Sequence, residues 1–207
     1  MTKIGSSLRS LIFDLGGVIL NLSLQRTFDA FARLSNLDSQ FIAKIYLDRP
    51  EFVAYEKGEL NDTEFRAVLR KLFFVSASDA ELDACWNAML LDIPAERIQL
   101  LEKIRTRYGL FLLSNTNSIH LQHFNQMVKL NTGHGSLEPL FDKAYFSHEL
   151  KMRKPDLEIF EYVLAQHNMA PHETLFLDDN LINLEGAKKL GIKTFHVSHP
   201  DLILTLF

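Results

Sequence analysis

Nearly a hundred residues separate the first apolar run that reads as a strand, Leu8 to Phe13, from the second, Leu110 to Leu113. One crossover between neighbouring parallel strands usually needs a single helix, so this gap must hold an inserted unit. Three more short apolar runs follow at closer spacing: Ala144 to Phe146, Thr174 to Leu177 and Thr194 to Val197. Between them Leu157, Phe160, Val163 and Leu164 recur at helical spacing, as do Leu181, Leu184 and Leu190, which Gly191 follows as a C-terminal cap. Strands alternating with such helices predict an α/β fold, a doubly wound, mostly parallel sheet covered on both faces, with an all-helical cap inserted after the first strand.

Within the insertion, Phe28, Phe31 and Leu34 suggest one amphipathic helix, and Phe41, Ile42 and Ile45 a second. Phe65, Val68, Leu69 and Leu72 form an i, i+3, i+4, i+7 series preceded by Asn61 and Glu64 in capping-box spacing. A further helix is expected from Ser78, with Glu81 three positions on and Leu82, Cys85, Trp86 and Met89 continuing its apolar face. Pro50 and Gly58 punctuate the unit, and Phe52, Phe65, Phe73 and Trp86 are its expected core. The expected partition is a core of residues 1–21 and 96–207 with a cap of residues 22–95. An insertion at that point can cover the carboxyl ends of the strands, where sites in open α/β sheets form.

Composition narrows the function classes. With 207 residues and 47% of them hydrophobic, the chain can bury a core without covalent staples. Its 22 Lys+Arg against 26 Asp+Glu give a formal charge of −4, which disfavours a broad nucleic-acid surface but permits a local basic pocket. The lone Cys85 excludes an intramolecular disulfide and fits a reducing, cytoplasmic compartment. Lys3 and Arg9 come early, but Asp14 interrupts Leu11-Ile12-Phe13, so no secretory leader of normal form is expected. No run approaches the roughly 20 apolar residues of a spanning helix, so no membrane role is expected. Nothing in the sequence implies an obligate protein partner, and function must reside in a local site.

Four segments carry chemistry: Phe13-Asp14-Leu15-Gly16-Gly17-Val18, Leu113-Ser114-Asn115-Thr116-Asn117, Met152-Arg153-Lys154-Pro155 and Phe176-Leu177-Asp178-Asp179-Asn180. Asp14 directly follows an apolar strand, and Gly16-Gly17 leaves its carboxylate open to an approaching phosphate. Asp178 and Asp179 end another strand, an arrangement costly to maintain without cations or donors, and a hard Mg2+ with oxygen ligands answers that need. Either aspartate could instead cap the helix near Leu181. Gly16-Gly17 is no P-loop and no dinucleotide fingerprint, which argues against an NTPase or a dehydrogenase. His120, His123 and His134 show no metal-ligand spacing and read as surface or helix-facing residues. Glu51, Tyr55, Glu56 and Lys57 could meet a polar sugar or equally decorate an exposed turn.

Together, in this order, the four segments resemble the haloacid dehalogenase-like hydrolase superfamily, in particular its small phosphatases with a helical cap and the bacterial group acting on glucose 1-phosphate. The resemblance implies Mg2+-dependent hydrolysis of a small phosphorylated metabolite through an aspartyl-phosphate. It assigns Asp14 as nucleophile, Lys154 as the cation between phosphate and Asp14, and Ser114 with Asn115 as phosphate ligands. Asp14, the Gly16 carbonyl and Asp178 would hold the metal, with Asp179 and Asn183 in support. Many relatives carry an aspartate acting as general acid two residues after the nucleophile, where this chain has Gly16, so protonation of the leaving group must come from elsewhere. A haloacid dehalogenase, or a catalytically weak phosphate-ligand sensor, are the competing readings.

Overall fold

The computed structural model describes residues 7–132 and 135–207, so Lys3 and His134 lie outside the described residues. Five strands, β1 (Ser10–Phe13), β2 (Gly109–Ser114), β3 (Lys143–Phe146), β4 (Thr174–Asp178) and β5 (Lys193–His196), form one sheet in the order β3-β2-β1-β4-β5. Every pairing in it is parallel. The continuous apolar runs are explained by burial on both faces. Leu11, Phe13, Leu110, Leu112, Leu175 and Leu177 enter one core cluster, and their neighbours Ile12, Phe111, Leu113 and Phe176 enter another on the opposite face. Five helices accompany the later strands: α6 (Ala95–Ile104), α7 (Ser118–Thr132), α8 (Ser147–Leu150), α9 (Leu157–Gln166) and α10 (Leu181–Lys188), numbered after the five of the insertion.

Between β1 and α6 the chain forms α1 (Leu24–Ser35), α2 (Ser39–Asp48), α3 (Pro50–Glu56), α4 (Asp62–Phe73) and α5 (Asp79–Asn87). Both expected capping boxes are present, Asn61 with Glu64 opening α4 and Ser78 with Glu81 opening α5. Phe52, Phe65, Phe73 and Trp86 are buried in a cluster formed mainly by these helices, to which the core adds Ile119. The stretch holding Glu51, Tyr55 and Glu56 is a helix, not an exposed turn. Pro50 sits in its first turn, where a missing N–H is harmless, and Tyr55 stacks on Phe65 at 3.8 Å between centroids. Phe41, expected on an apolar face, is 46% exposed.

The two segments joining the insertion to the sheet pair with each other. Asn21 N–H donates to the Asp92 carbonyl at 2.9 Å, and Leu91 N–H donates to the Asn21 carbonyl at 3.0 Å. Buried Arg97 fastens this junction, donating to the Ile19 carbonyl at 3.1 Å, Asn21 Oδ1 at 2.8 Å and Asp201 Oδ1 at 2.9 Å. Among the described residues, no helix is long and apolar enough to cross a membrane.

Candidate active site

Register brings the motifs together. Phe13 lies beside Leu177 in the sheet, so the residues after them, Asp14 and Asp178, leave adjacent strands side by side. Ser114 ends the strand on the other flank of β1. Across these carboxyl ends Lys154 reaches in from the segment between α8 and α9. Its side chain is wholly buried, with Nζ 2.8 Å from Asp14 Oδ1 and 2.8 Å from Asp178 Oδ2. Asn115 fixes the base of that lysine: Lys154 N–H donates to Asn115 Oδ1 at 2.9 Å, and Asn115 Nδ2 donates to the Lys154 carbonyl at 2.8 Å. The Asn115 side chain therefore positions Lys154, while Ser114 lines a neighbouring cavity.

Asp178 is fully buried and held from several sides. Asn183 Nδ2 donates to both its oxygens at 3.1 Å, and Asn180 N–H donates to Oδ1 at 2.7 Å. Asp14 is held differently, because Leu15 N–H at 2.7 Å and Lys154 both meet Oδ1. Among the described residues, none donates to its Oδ2. Asp179 is exposed and leans on Gly17, where φ is 69° and a Cβ would lie 2.3 Å from Asp179 Oδ2. Only glycine fits there without moving the acid.

Burial pushes the Asp14 carboxyl up; Lys154 pulls it down, Asp178 and Asp179 add to the rise, and the net direction is upward. Burial also works against a charged Lys154, but Asp14 and Asp178 outweigh it and raise its pKa, so the ammonium persists. Asp179 is likewise raised, by burial and then by Asp178. One cation thus serves three carboxylates whose oxygens lie within 4.8 Å of one another. That surplus of negative charge on an all-oxygen donor set fits a hard divalent ion such as Mg2+.

A cavity of about 220 Å3 opens between Leu15, Gly16 and the Ser114–Asn117 loop on one side and Leu22, Tyr46, Glu56 and Trp86 of the insertion on the other. Several contacts tie the insertion down around it. Trp86 Nε1 donates to Asn117 Oδ1 at 3.3 Å, and His120 Nδ1 lies 2.9 Å from Asn87 Oδ1. His120 also stacks on Trp86 at 4.9 Å, so it is buried between α7 and the insertion and not on the surface. Ser118 Oγ and Tyr55 Oη both donate to Asp62 Oδ1, and Arg153 pairs with Glu56 at 2.8 Å. Among the described residues, no histidine joins the metal-fitting group. The sequence signals for Glu56, Arg153 and Gly17 were weak: a charge on an unrecognised short helix, an arginine beside the motif lysine, and the second of two glycines.

A parallel sheet with a lysine-bridged aspartate cluster at its carboxyl edge, beside a cavity roofed by inserted helices, defines the class as an α/β-fold enzyme with an acidic, metal-fitting centre. The chain belongs to the haloacid dehalogenase-like hydrolases, whose sequence profile matches residues 8–191. It is 29% identical over 188 residues to the D-ribitol-5-phosphate phosphatase of Bacteroides thetaiotaomicron, covering 91% of each chain. A haloacid dehalogenase family enzyme of the same organism, solved with an aspartate-to-alanine substitution and bound magnesium and inorganic phosphate, superposes with a TM-score of 0.84 at 36% identity. That match covers 91% of this chain and 93% of the other. A family hydrolase from Porphyromonas gingivalis superposes with the same score at 30% identity, covering 92% of this chain and 91% of that one.

Proposed function

We propose that this enzyme is a Mg2+-dependent phosphatase that hydrolyses a small phosphomonoester, a sugar or sugar-alcohol phosphate, through an aspartyl-phosphate on Asp14. The observation that carries the reading is the double contact of Lys154 with Asp14 and Asp178 in a site where one Asp14 oxygen has no donor among the described residues. Glucose 1-phosphate is the substrate the family resemblance implies, and ribitol 5-phosphate the one suggested by the relative; both are polyhydroxylated phosphomonoesters.

In the first step an Asp14 carboxylate oxygen attacks phosphorus in line, the bond from phosphorus to the leaving oxygen breaks, and an acyl phosphate forms on Asp14. Lys154 pulls the Asp14 carboxyl towards its ionised form against the effect of burial and faces the charge on the transferring oxygens, with Ser114 placed to donate to one of them. Asp14, Asp178 and the Gly16 carbonyl are the proposed holders of Mg2+, with Asp179 and Asn183 beside them; the ion supplies charge neutralisation to the phosphoryl group. No carboxylate follows at position 16, so the leaving oxygen takes its proton from water or from another group in the cavity. Water then cleaves the acyl phosphate, releasing inorganic phosphate and restoring Asp14. Residues 22–95 act as the cap over the core of residues 1–21 and 96–207, excluding bulk water from the cavity.

The test is phosphate release from sugar 1-phosphates, sugar 6-phosphates, pentitol phosphates and nucleotides, with Mg2+ and with chelator. Turnover that stops on chelation and returns with Mg2+ is the expected result. Halide release from 2-haloacids that survives chelation, with no phosphate release from any ester, would identify a dehalogenase instead.

A further inference from the structure

Glu56 is the only charged side chain lining the cavity among the described residues, and it comes from the insertion rather than from the sheet. It is the last residue of α3, anchored by the buried rings of Phe52 and Tyr55 on the same helix. Arg153 Nη2 at 2.8 Å and Nε at 3.1 Å both meet Glu56 Oε2. The other oxygen, Oε1, has no hydrogen-bond partner among the described residues, and a carboxylate oxygen can only accept. Arg153 immediately precedes Lys154, so one segment sets both the ammonium at the reacting centre and the carboxylate that lines the cavity.

The arrangement is selective in a definite chemical sense. Pinning by Arg153 removes the entropy a free glutamate would lose on binding and offsets its charge next to an incoming phosphate. Burial pushes the Glu56 carboxyl up, while Arg153 and then Lys154 pull it down; the lysine's influence means the carboxylate lies within electrostatic reach of the site. A leaving group with hydroxyls satisfies Oε1. One with only methylenes leaves it desolvated without a donor, and one with a second anionic group meets like charge. The cavity, at about 220 Å3, is smaller than drug-sized pockets of roughly 300 Å3 and above, which restricts the choice to small metabolites.

We propose that Glu56 is a specificity-determining residue: its Oε1 accepts a hydrogen bond from a leaving-group hydroxyl, selecting small polyhydroxylated phosphomonoesters over alkyl phosphates and over bisphosphates. The proposal rests on the phosphatase reading given above. Sites built to bond a substrate hydroxyl reject analogues lacking it far more strongly than apolar pockets reject a missing methylene.

The experiment compares kcat/KM for a pentitol monophosphate, pentyl phosphate and a pentitol bisphosphate, with Mg2+, in wild type, E56Q and E56A. Wild type is expected to favour the pentitol monophosphate over pentyl phosphate by about tenfold or more, and E56A to lose most of that ratio through KM. Discrimination against the bisphosphate should relax in both variants. A ratio that stays constant while all three substrates fall together would make Glu56 a strut for the insertion and overturn the proposal. A wild type that treats pentitol and pentyl phosphates alike overturns it without any variant, so a variant that fails to fold does not protect it. Wild type releasing no phosphate from any of the three removes the phosphatase reading itself, and is distinguishable from a flat ratio.

Discussion

Lys154 is one cation shared by Asp14 and Asp178, and the chemistry proposed for the site turns on which oxygen that sharing leaves exposed. Asp14→Asn keeps the side-chain volume and removes the nucleophile, so phosphate release should vanish while the thermal unfolding profile stays close to wild type. Gly17→Ala puts a Cβ against the Asp179 carboxylate at a backbone angle that side chains rarely adopt; Mg2+ affinity, followed by calorimetry with inorganic phosphate present, should fall. Position 16 is more instructive. A Cβ there would lie 2.4 Å from Leu22 Cδ1, so Leu22 occupies the space that an aspartate's side chain would need. Gly16→Asp requires the Leu22 methyl to shift, so Gly16→Asp with Leu22→Ala should flatten the dependence of single-turnover rate on leaving-group basicity more fully than Gly16→Asp alone. General acids are commonly worth about 10²- to 10⁴-fold, large enough to read in such a series. Asp14 and Asp178 could be picked out by their positions at the ends of apolar strands, whereas Ser114 and Lys154 are assigned by the resemblance of their motifs. Glu56 and Arg153 could not be paired, because ninety-odd residues lie between them and neither sits in a periodic pattern.

At the level of elements, short apolar runs located all five strands to within two residues at each end, because four of them are buried parallel strands, while the edge strand β5 is only partly buried. Periodicity missed α3, which has seven residues and too few turns to show an amphipathic stripe, and whose first residue is a proline easily taken for a break. The same limit hid the close seating of the insertion. Gly58, with φ at 64°, approaches the His148 carbonyl so closely that a Cβ would lie 2.2 Å from it. Gly58→Ala should displace α3 from the segment after β3, and lowered protection of α3 amides in hydrogen exchange would register it. The capping boxes offer a quantitative check. Asn61→Ala and Ser78→Ala should each destabilise the protein by about 1 kcal/mol in urea unfolding, with little change in the denaturant slope.

For the whole molecule, the insertion and the loop and helix that follow β2 share a buried polar seam of Trp86, Asn87, Asn117 and His120, and this couples folding to pH. Burial, with a smaller push from His123, lowers the His120 pKa from 6.5 to about 3. Above the unfolded value both states are neutral and the seam's full stability is present. Between 6.5 and about 3 the unfolded chain binds a proton that the native state refuses, so stability falls as pH falls. The slope from this one group is at most about 1.4 kcal/mol per pH unit, and urea midpoints for wild type and His120→Gln across that window should show a shallower acid limb in the variant. The covalent step at Asp14 is the claim on which the proposed function stands. Its most direct measurement is acid quench of a single turnover with Mg2+ and a pentitol phosphate, borohydride reduction, and mass analysis of the peptide containing Asp14. An acyl phosphate on Asp14 is reduced to the alcohol, so a mass loss confined to that residue, absent without substrate and in Asp14→Asn, is the predicted result. Full phosphate release with chemistry faster than breakdown of any intermediate, and Asp14 unmodified at every quench time, would contradict it.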